Sequence, residues 1–336
     1  MMPDRTRRAL TMAVVAGALA PAVALPRVRE VRISKGYGIL YLPLLVMEQQ
    51  RLFDKHAARR GLSASASWVL LDGGNAVNDA MMAGTLDFAG VGAPGFIELW
   101  ARARGIPNVE VIGVSGLSTT SLSLNVNRAS IRTIADFSPA DRIAVPGIRT
   151  SLSAVVLQMV VAKLLGPKQF ARLDAITVNL PHPEAMRALI GRDKGVSAHF
   201  TSPPFSWLEL RAPGIHRVSS SRDVLGALTL DVVFAPKKLV DGEPVLVDVF
   251  LDALDEAQRF IAAERHAAAR LYVSASGVRV SVDAVVQMLS NPETGFSVVP
   301  DQLMQYVDFL FAAGTIKAKP RRWEEMFVPQ LARYRA

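Results

Sequence analysis

The chain has 336 residues, of which half are apolar and a fifth are charged, and its formal net charge is +8 at pH 7. This length suits two lobes of about 100–200 residues each, and the apolar fraction is enough for a sizeable core. The sequence contains no cysteine, which excludes disulfides, thiolate metal sites and a cysteine nucleophile. The basic residues stand singly or in pairs rather than in a stripe with interleaved aromatic residues, so we do not expect nucleic-acid binding.

Residues 1–24 have the pattern of a cleaved signal peptide. A basic start through Arg8 precedes a short apolar run, and Ala22-Val23-Ala24 has the small-x-small spacing of a signal peptidase site. The run is shorter than the roughly 20 residues that span a bilayer, and the alternative is an ordinary buried helix. We therefore expect cleavage near Ala24 and export to the periplasm, by either the Sec or the twin-arginine route.

From residue 28 onwards, the hydrophobic pattern predicts strands and helices in alternation. The predicted strands lie at 31–34, 66–71, 86–91, 109–114, 142–145, 175–179, 196–200 and 229–234. The predicted helices lie at 42–53, 75–83 with Asn75 as N-cap, 96–104, 152–165, 183–190, 245–263, 266–274, 282–289 and 302–313. This order is typical of an α/β protein with mostly parallel sheets, and its recurrence in 75–94 and 180–203 predicts two lobes of one architecture.

The loops after the predicted strands are the first candidates for a ligand site. In open parallel sheets, ligands bind beyond the carboxyl ends of the strands, beside helix N-termini that favour negative charge. These loops are rich in glycine, which lets a ligand approach the backbone. The candidate ligand-binding residues in them are Tyr37, Gly73, Gly74, Asn75, Gly92, Ala93, Arg149, Thr150, Ser151, His199 and Thr201.

Several of these residues have two interpretations from the sequence alone. The segment Arg149-Thr150-Ser151 fits an anion site at a helix start and equally a plain N-cap. Tyr37 fits a ligand contact or rim packing, and His199 fits a ligand contact or a buried structural histidine. The histidines show no metal-ligand spacing, so no metal site is expected. The G-x-G-x-x-G match at 90–95 is better interpreted as a turn, because no acidic residue follows at the expected spacing.

An ordered set of motifs over nearly the whole mature chain resembles the nitrate/sulfonate/taurine-type solute-binding proteins of ABC transporters. The same superfamily includes receptors for thiamine-pyrimidine precursors. The motifs that carry the resemblance lie at 35–44, 52–53, 72–74, 84–94, 131–137, 144–147, 198–204, 314–317 and 320–327.

The resemblance implies a type II periplasmic-binding-protein fold, in which two α/β lobes are joined by two hinge strands. It implies a lobe I of residues 25–122 plus 228–336 and a lobe II of residues 123–227. The chain crossings are expected near 119–126 and 217–230, which adds Thr119 to the candidate ligand contacts. The implied partners are a small-molecule ligand, an ABC permease and its ATPase. The protein itself is expected to be a monomer without a cofactor and not embedded in the membrane.

Three hypotheses for function remain open from the sequence. The first is a receptor for a small anion such as an alkanesulfonate, taurine or nitrate, motivated by the helix N-termini and Arg149. The second is a receptor for a neutral or aromatic heterocycle, motivated by Tyr37, His199, Phe200 and Phe205. The third is an enzyme on the same fold with His199 as acid or base, for which no second catalytic partner stands at a recognisable spacing. We expect a receptor and no enzyme.

Overall fold

A computed structural model describes residues 28–193 and 195–335, so the predicted signal peptide lies outside the described residues. The strands are β1 Arg29–Lys35, β2 Ala64–Leu70, β3 Phe88–Gly92, β4 Val111–Ser118, β5 Ser123–Val126, β6 Ile143–Val145, β7 Thr177–Asn179, β8 Ala198–Thr201, β9 His216–Ser220 and β10 Asp231–Pro236. The α-helices are α1 Leu42–Gln49, α2 Leu52–Arg59, α3 Gly74–Met82, α4 Ala93–Ala103, α5 Leu152–Leu165, α6 His182–Gly191, α7 Phe205–Glu209, α8 Ser221–Leu225, α9 Lys237–Gly242, α10 Pro244–Ala263, α11 Arg265–Ala275, α12 Val282–Ser290 and α13 Leu303–Ala312.

The described strands form two five-stranded sheets of the same design. The first has the order β2-β1-β3-β10-β4 and the second the order β7-β6-β8-β5-β9. In each sheet one strand, β10 or β5, runs antiparallel to both of its neighbours, and the remaining pairings are parallel. We call the first sheet with its helices the first lobe and the second sheet with its helices the second lobe. The predicted mixed α/β fold with two similar lobes is confirmed.

The chain passes between the two sheets twice. It leaves the first sheet after β4, forms the second sheet with β5 to β9, and returns as β10. The two passages lie side by side. The hydroxyl of Thr119 in the first passage donates a 2.5 Å hydrogen bond to the carbonyl oxygen of Leu228 in the second. The main chain of Thr119 also pairs with that of Gly295. The lobe boundaries at 122/123 and 227/228 stay a prediction.

The long C-terminal helices complete the core of the first lobe. Helix α10 has one buried face, on which residues recur every three or four positions: Leu246, Phe250, Leu254, Ala257 and Ile261. Phe250 stacks on Phe88 of β3 with the ring centroids 4.5 Å apart. Within the part of the chain that the structure describes, no helix combines the length and the apolarity needed to cross a membrane.

Three predictions of local structure differ from the structure. The segment 90–95 is not a turn, because β3 ends at Gly92 and α4 begins directly at Ala93 rather than at 96. The single helix predicted over 42–53 is two helices, α1 and α2, separated at Arg51, whose φ of 52° is left-handed and ends a helical path. Asn75 is not an N-cap: α3 begins at Gly74 and its N-cap is Gly73, while Asn75 lies exposed inside the first turn. Gly73 has a φ of 83°, which glycine adopts without cost, so the chain turns into the helix earlier than the polar residue indicated.

Candidate ligand-binding cleft

A cavity of about 40 Å³ lies between the two lobes, at the carboxyl ends of the parallel strands. Its walls combine the strand-end loops of the first lobe with the starts of α5 and α6 in the second. The polar side chains in its lining are Tyr37, Tyr41, Asp72, Ser151, Ser153, His182, Ser202 and Asp231. This is the position at which open α/β sheets hold ligands.

The lobes are closed around this cavity through close main-chain contacts. A β-carbon added to Gly73 would stand 2.1 Å from the carbonyl oxygen of Pro146, and one added to Gly74 would stand 3.0 Å from that of Thr150. The N–H of Ile39 also donates a 3.1 Å hydrogen bond to the carbonyl oxygen of Pro203 in the other lobe. The glycines at the strand ends therefore allow the two backbones to approach each other.

Five of the residues predicted from the sequence line the cavity: Tyr37, Gly73, Gly74, Gly92 and Ser151. Ala93 and Thr150 are adjacent in the chain to lining residues but do not line the cavity. Asn75 is exposed, and Thr119 lies at the chain passage, where it lines a separate cavity beside Leu228 and Gly295.

The geometry at the start of α5 favours the N-cap interpretation of 149–151 over an anion site that uses Arg149. Ser151 is the N-cap of α5, and its hydroxyl accepts a 3.2 Å hydrogen bond from the N–H of Ala154. The side chain of Arg149 is 74% exposed and lies 4.0 Å from Asp174, outside the cavity lining. The helix N-terminus therefore reaches the cavity through Ser151 to Ser153, whereas the guanidinium does not.

His199 and Thr201 lie one hydrogen bond behind the cavity wall. His182, which lines the cavity, places its Nδ1 2.9 Å from Nε2 of His199 and 3.0 Å from the hydroxyl of Thr201. Nδ1 of His199 lies 2.5 Å from a carboxylate oxygen of Glu209, and both side chains are fully buried. A continuous chain of polar contacts thus runs from the cavity into the second lobe.

The residues of this polar chain have further hydrogen-bond and ring contacts within the second lobe. The second carboxylate oxygen of Glu209 accepts a 2.8 Å hydrogen bond from the amide of Asn125, which also donates to the carbonyl oxygen of Ser206. The ring of Phe205 stacks against that of His182 with centroids 5.5 Å apart.

Burial and the nearby His199 hold the pKa of His182 well below its usual value, so His182 is neutral at pH 7. Among the described residues, no three His, Asp or Glu side chains form a metal-binding group.

Two carboxylates face the cavity from the first lobe. Asp231, at the start of β10, is 1% exposed and accepts a 2.8 Å hydrogen bond from the hydroxyl of Tyr41. Burial raises the pKa of Asp231 to about 7, although hydrogen bonds from Tyr41 and Ser118 act in the opposite direction. Burial likewise raises the pKa of Asp72 to about 6. The N–H of His182 donates a 3.3 Å hydrogen bond to Asp72 across the lobe interface.

The sequence analysis missed six of the polar residues that line the cavity: Tyr41, Asp72, Ser153, His182, Ser202 and Asp231. Asp72 precedes two predicted site glycines, so its position directly after a strand was a usable signal. Asp231 is an acidic residue next to a run of apolar residues in a predicted strand, which is unusual for a buried position. Tyr41 and His182 carry no such local signal.

The two-sheet topology with a cleft between the lobes defines the periplasmic-binding-protein fold. No protein-family model matches the sequence, and no curated protein matches it. Among solved structures, the chain is similar to the alkanesulfonate-binding protein SsuA from Xanthomonas axonopodis pv. citri bound to MOPS. That match has 18% identity and a TM-score of 0.67, and it covers 87% of this chain and 96% of that one.

Two further structures are similar over most of their length. The aliphatic sulphonate-binding protein SsuA from Escherichia coli has 17% identity and a TM-score of 0.64, with 89% of this chain and 98% of that chain covered. The nitrate-binding protein NrtA from Synechocystis PCC 6803 has 11% identity and a TM-score of 0.68, with 92% and 89% covered. These matches agree with the resemblance seen in the sequence, and at such identities they show the fold alone.

Proposed function

We propose that this chain is the extracytoplasmic solute-binding component of an ABC importer. The observation that carries the proposal is the cavity between two similar lobes, which is enclosed by glycine loops and lined by polar side chains. A ligand enters when the lobes separate, is enclosed when they close, and is delivered to a permease driven by an ATPase. The proposed ligand contacts are the lining residues, with Thr119 acting at the passage between the lobes.

Two ligand classes have support from different observations. A small anion such as an alkanesulfonate, taurine or nitrate is supported by the start of α5 at the cavity and by the structural similarity to alkanesulfonate-binding and nitrate-binding proteins. A neutral or aromatic heterocycle is supported by Tyr37 and Tyr41 in the lining and by the acceptor groups of Asp72 and Asp231. Arg149 supports the anion only if its side chain turns inward from its exposed position.

An enzyme on the same fold is the weaker alternative. Its support is the chain from His182 through His199 to Glu209, which has the order of an acid–base relay that ends at a cavity. The same contacts also satisfy a buried histidine and a buried carboxylate, which a stable lobe requires in any case. A receptor binds its solute in a 1:1 complex and returns it unchanged, whereas an enzyme converts it.

The proposal is tested on protein purified from the periplasmic fraction without denaturation. Mass spectrometry of the intact complex is expected to show one small molecule bound per chain, released unchanged when the protein is unfolded. The mature N-terminus is expected directly after Ala24. A chain that retains residues 1–24 in the cytoplasm, or that yields a converted product, would contradict the proposal.

A further inference from the structure

The lining of the cavity between the lobes, all of which lies in the described part of the chain, presents hydrogen-bond acceptors and no basic side chain. It contains neither lysine nor arginine. Asp231 is almost fully buried, and its described partners are the hydroxyls of Tyr41 and Ser118, at 2.8 and 3.4 Å. A carboxylate offers about four acceptor positions, so Asp231 keeps acceptor capacity toward the cavity.

A second cavity of about 230 Å³ adjoins the first, because Tyr37 and Tyr41 belong to the walls of both. Its other aromatic walls are Trp68 and Tyr272. Tyr272 is 1% exposed, and its hydroxyl lies beside the side chain of Ser276, which also lines this cavity. The two cavities together thus place two carboxylates beside four aromatic side chains, Tyr37, Tyr41, Trp68 and Tyr272.

The charges in the second cavity compensate each other. Lys35 and Glu48 both line it, and their side chains form an ion pair with each other. Neither charge is therefore left for an ionic ligand, and the aromatic rings dominate the remaining surface. Such walls suit a flat or apolar body, and the faces of tyrosine and tryptophan also attract a cation placed over them.

The chemical class of the ligand is inferred here on the basis of the proposed receptor function. We infer that the ligand is an organic amine, in which a protonated amino group is attached to an aromatic or apolar body. The amino group lies between Asp72 and Asp231, and the body lies against Tyr37, Tyr41 and Trp68. A space of about 40 Å³ suits one small polar group, since a single water needs about 10–15 Å³ of such space. An ammonium brings up to three donors and the opposite charge, whereas an anion would meet two carboxylates.

The test compares ligands that share one ring and differ in the polar group. Benzylamine, benzyl alcohol and benzoate are titrated calorimetrically into refolded, ligand-free protein at about pH 7.5. A panel of further amines (tyramine, histamine, 4-aminopyridine and methylamine) and two simple anions (methanesulfonate and nitrate) is measured in parallel. We expect the tightest binding from a ring-bearing amine, at least about tenfold tighter than from benzoate or from methylamine, which is 1.4 kcal/mol or more.

A substitution pair assigns the charge that is responsible. Asp231→Asn keeps the size and an acceptor for Tyr41, and is expected to weaken amine binding at least about tenfold. Asp241→Asn removes the same charge from an exposed i,i+4 pair with Lys237 and is expected to leave amine binding unchanged. Far-ultraviolet circular dichroism and unfolding curves of both variants verify that they fold.

The outcomes separate this inference from the receptor function. If nitrate, methanesulfonate or benzoate binds more tightly than every amine, or if Asp231→Asn binds amines normally, the inference is wrong and the receptor function stands. If no amine binds but the protein carries another solute from the periplasm, the inference is likewise wrong and the receptor function stands. If no solute binds at all, both proposals fail.

Discussion

The carbonyl oxygen of Pro146 lies directly against Gly73, at the contact between the two lobes. A β-carbon added to Gly73 would stand 2.1 Å from this oxygen and 3.2 Å from the carbonyl carbon of Pro146. Both contacts are to backbone, which moves only if the lobes separate. Gly73 is thus the position at which a single methyl group would act most directly on the closed arrangement.

We predict that Gly73→Ala shifts the protein toward an open form and weakens ligand binding at least about tenfold, which is 1.4 kcal/mol of lost closure energy. Small-angle scattering is expected to show a larger radius of gyration. The matched control is Gly84→Ala, because Gly84 also has a positive φ, +68° against +83°, but no atom lies within 4 Å of its added β-carbon. Equal effects of the two substitutions would mean that backbone strain, rather than lobe contact, is responsible.

Tyr41→Phe is predicted to destabilise the protein and to weaken ligand binding. The substitution removes the 2.8 Å hydrogen bond to Asp231 and leaves a buried carboxyl group with one partner fewer, at a cost of about 1–3 kcal/mol. Tyr334→Phe is the control, since its hydroxyl donates an equivalent 2.8 Å hydrogen bond to Asp252 away from the cleft. Urea unfolding should register both changes, whereas calorimetric ligand binding should register only the loss at Tyr41.

The free energy of unfolding is predicted to fall as the pH rises from about 4 to about 7. The pKa of Asp231 is raised to about 7 in the folded protein, mainly by burial, whereas an unfolded aspartate has a pKa of about 3.9. The folded state therefore binds more protons than the unfolded state across this window, and the stability contributed by the protonated form is lost as the pH rises through 7.

Asp231→Asn cannot release this proton, so its stability should depend less on pH over the same window. The measurement is urea unfolding of both proteins at pH 5 and pH 8, and the difference between the proteins is expected to be a few kcal/mol. Asp72, whose pKa is raised to about 6, contributes in the same direction and remains in the variant. Identical pH dependence of the two proteins would show that Asp231 is not protonated in the folded state.

Glu209→Gln is predicted to cost about 1.5–3 kcal/mol of stability, because it replaces one of two buried acceptor oxygens, which face Asn125 and His199, by an NH2 group that cannot accept a hydrogen bond. The control is Glu256→Gln at the surface, where Glu256 lies 2.8 Å from His56 and is 37% exposed. That substitution should change stability by no more than about 1 kcal/mol. If Glu209→Gln is as mild as the control, the buried chain behind His182 does not support the second lobe.

The elements that sequence analysis predicted well are those whose pattern is local. The structure confirms the predicted strand β1 and the predicted helix α10. Alternating apolar residues and a spacing of three to four residues are patterns among near neighbours in the chain, and both are visible in the sequence. The break between α1 and α2 was missed because Arg51 is not a residue type that favours a left-handed φ. The short strands β5 and β9 do not appear among the strands predicted from the hydrophobic pattern, which is brief there, although they overlap the expected chain crossings at 119–126 and 217–230.

The candidate site was predictable only in part for a similar reason. Gly73, Gly74 and Gly92 lie at strand ends, and glycines that follow an apolar run can be recognised in the sequence. Asp231 reaches the cavity because β10 returns to the first sheet after the whole second lobe has formed, and no local pattern encodes that pairing. The contacts among His182, His199 and Glu209 likewise require α6, β8 and α7 to meet in space.

The most direct test of the account is a thermal-shift screen of the refolded, ligand-free protein against amines, heterocycles, sulfonates and nitrate, with each hit analysed for conversion. A solute that binds only the folded state adds RT ln(1 + [L]/Kd) of stability, or about 2.7 kcal/mol at 100 times Kd. The account predicts at least one solute that stabilises the protein in a 1:1 complex, is recovered unchanged, and binds more weakly to Gly73→Ala. A stabilising solute that is chemically converted, or one that binds Gly73→Ala as tightly as the unaltered protein, would contradict a receptor that closes over its ligand.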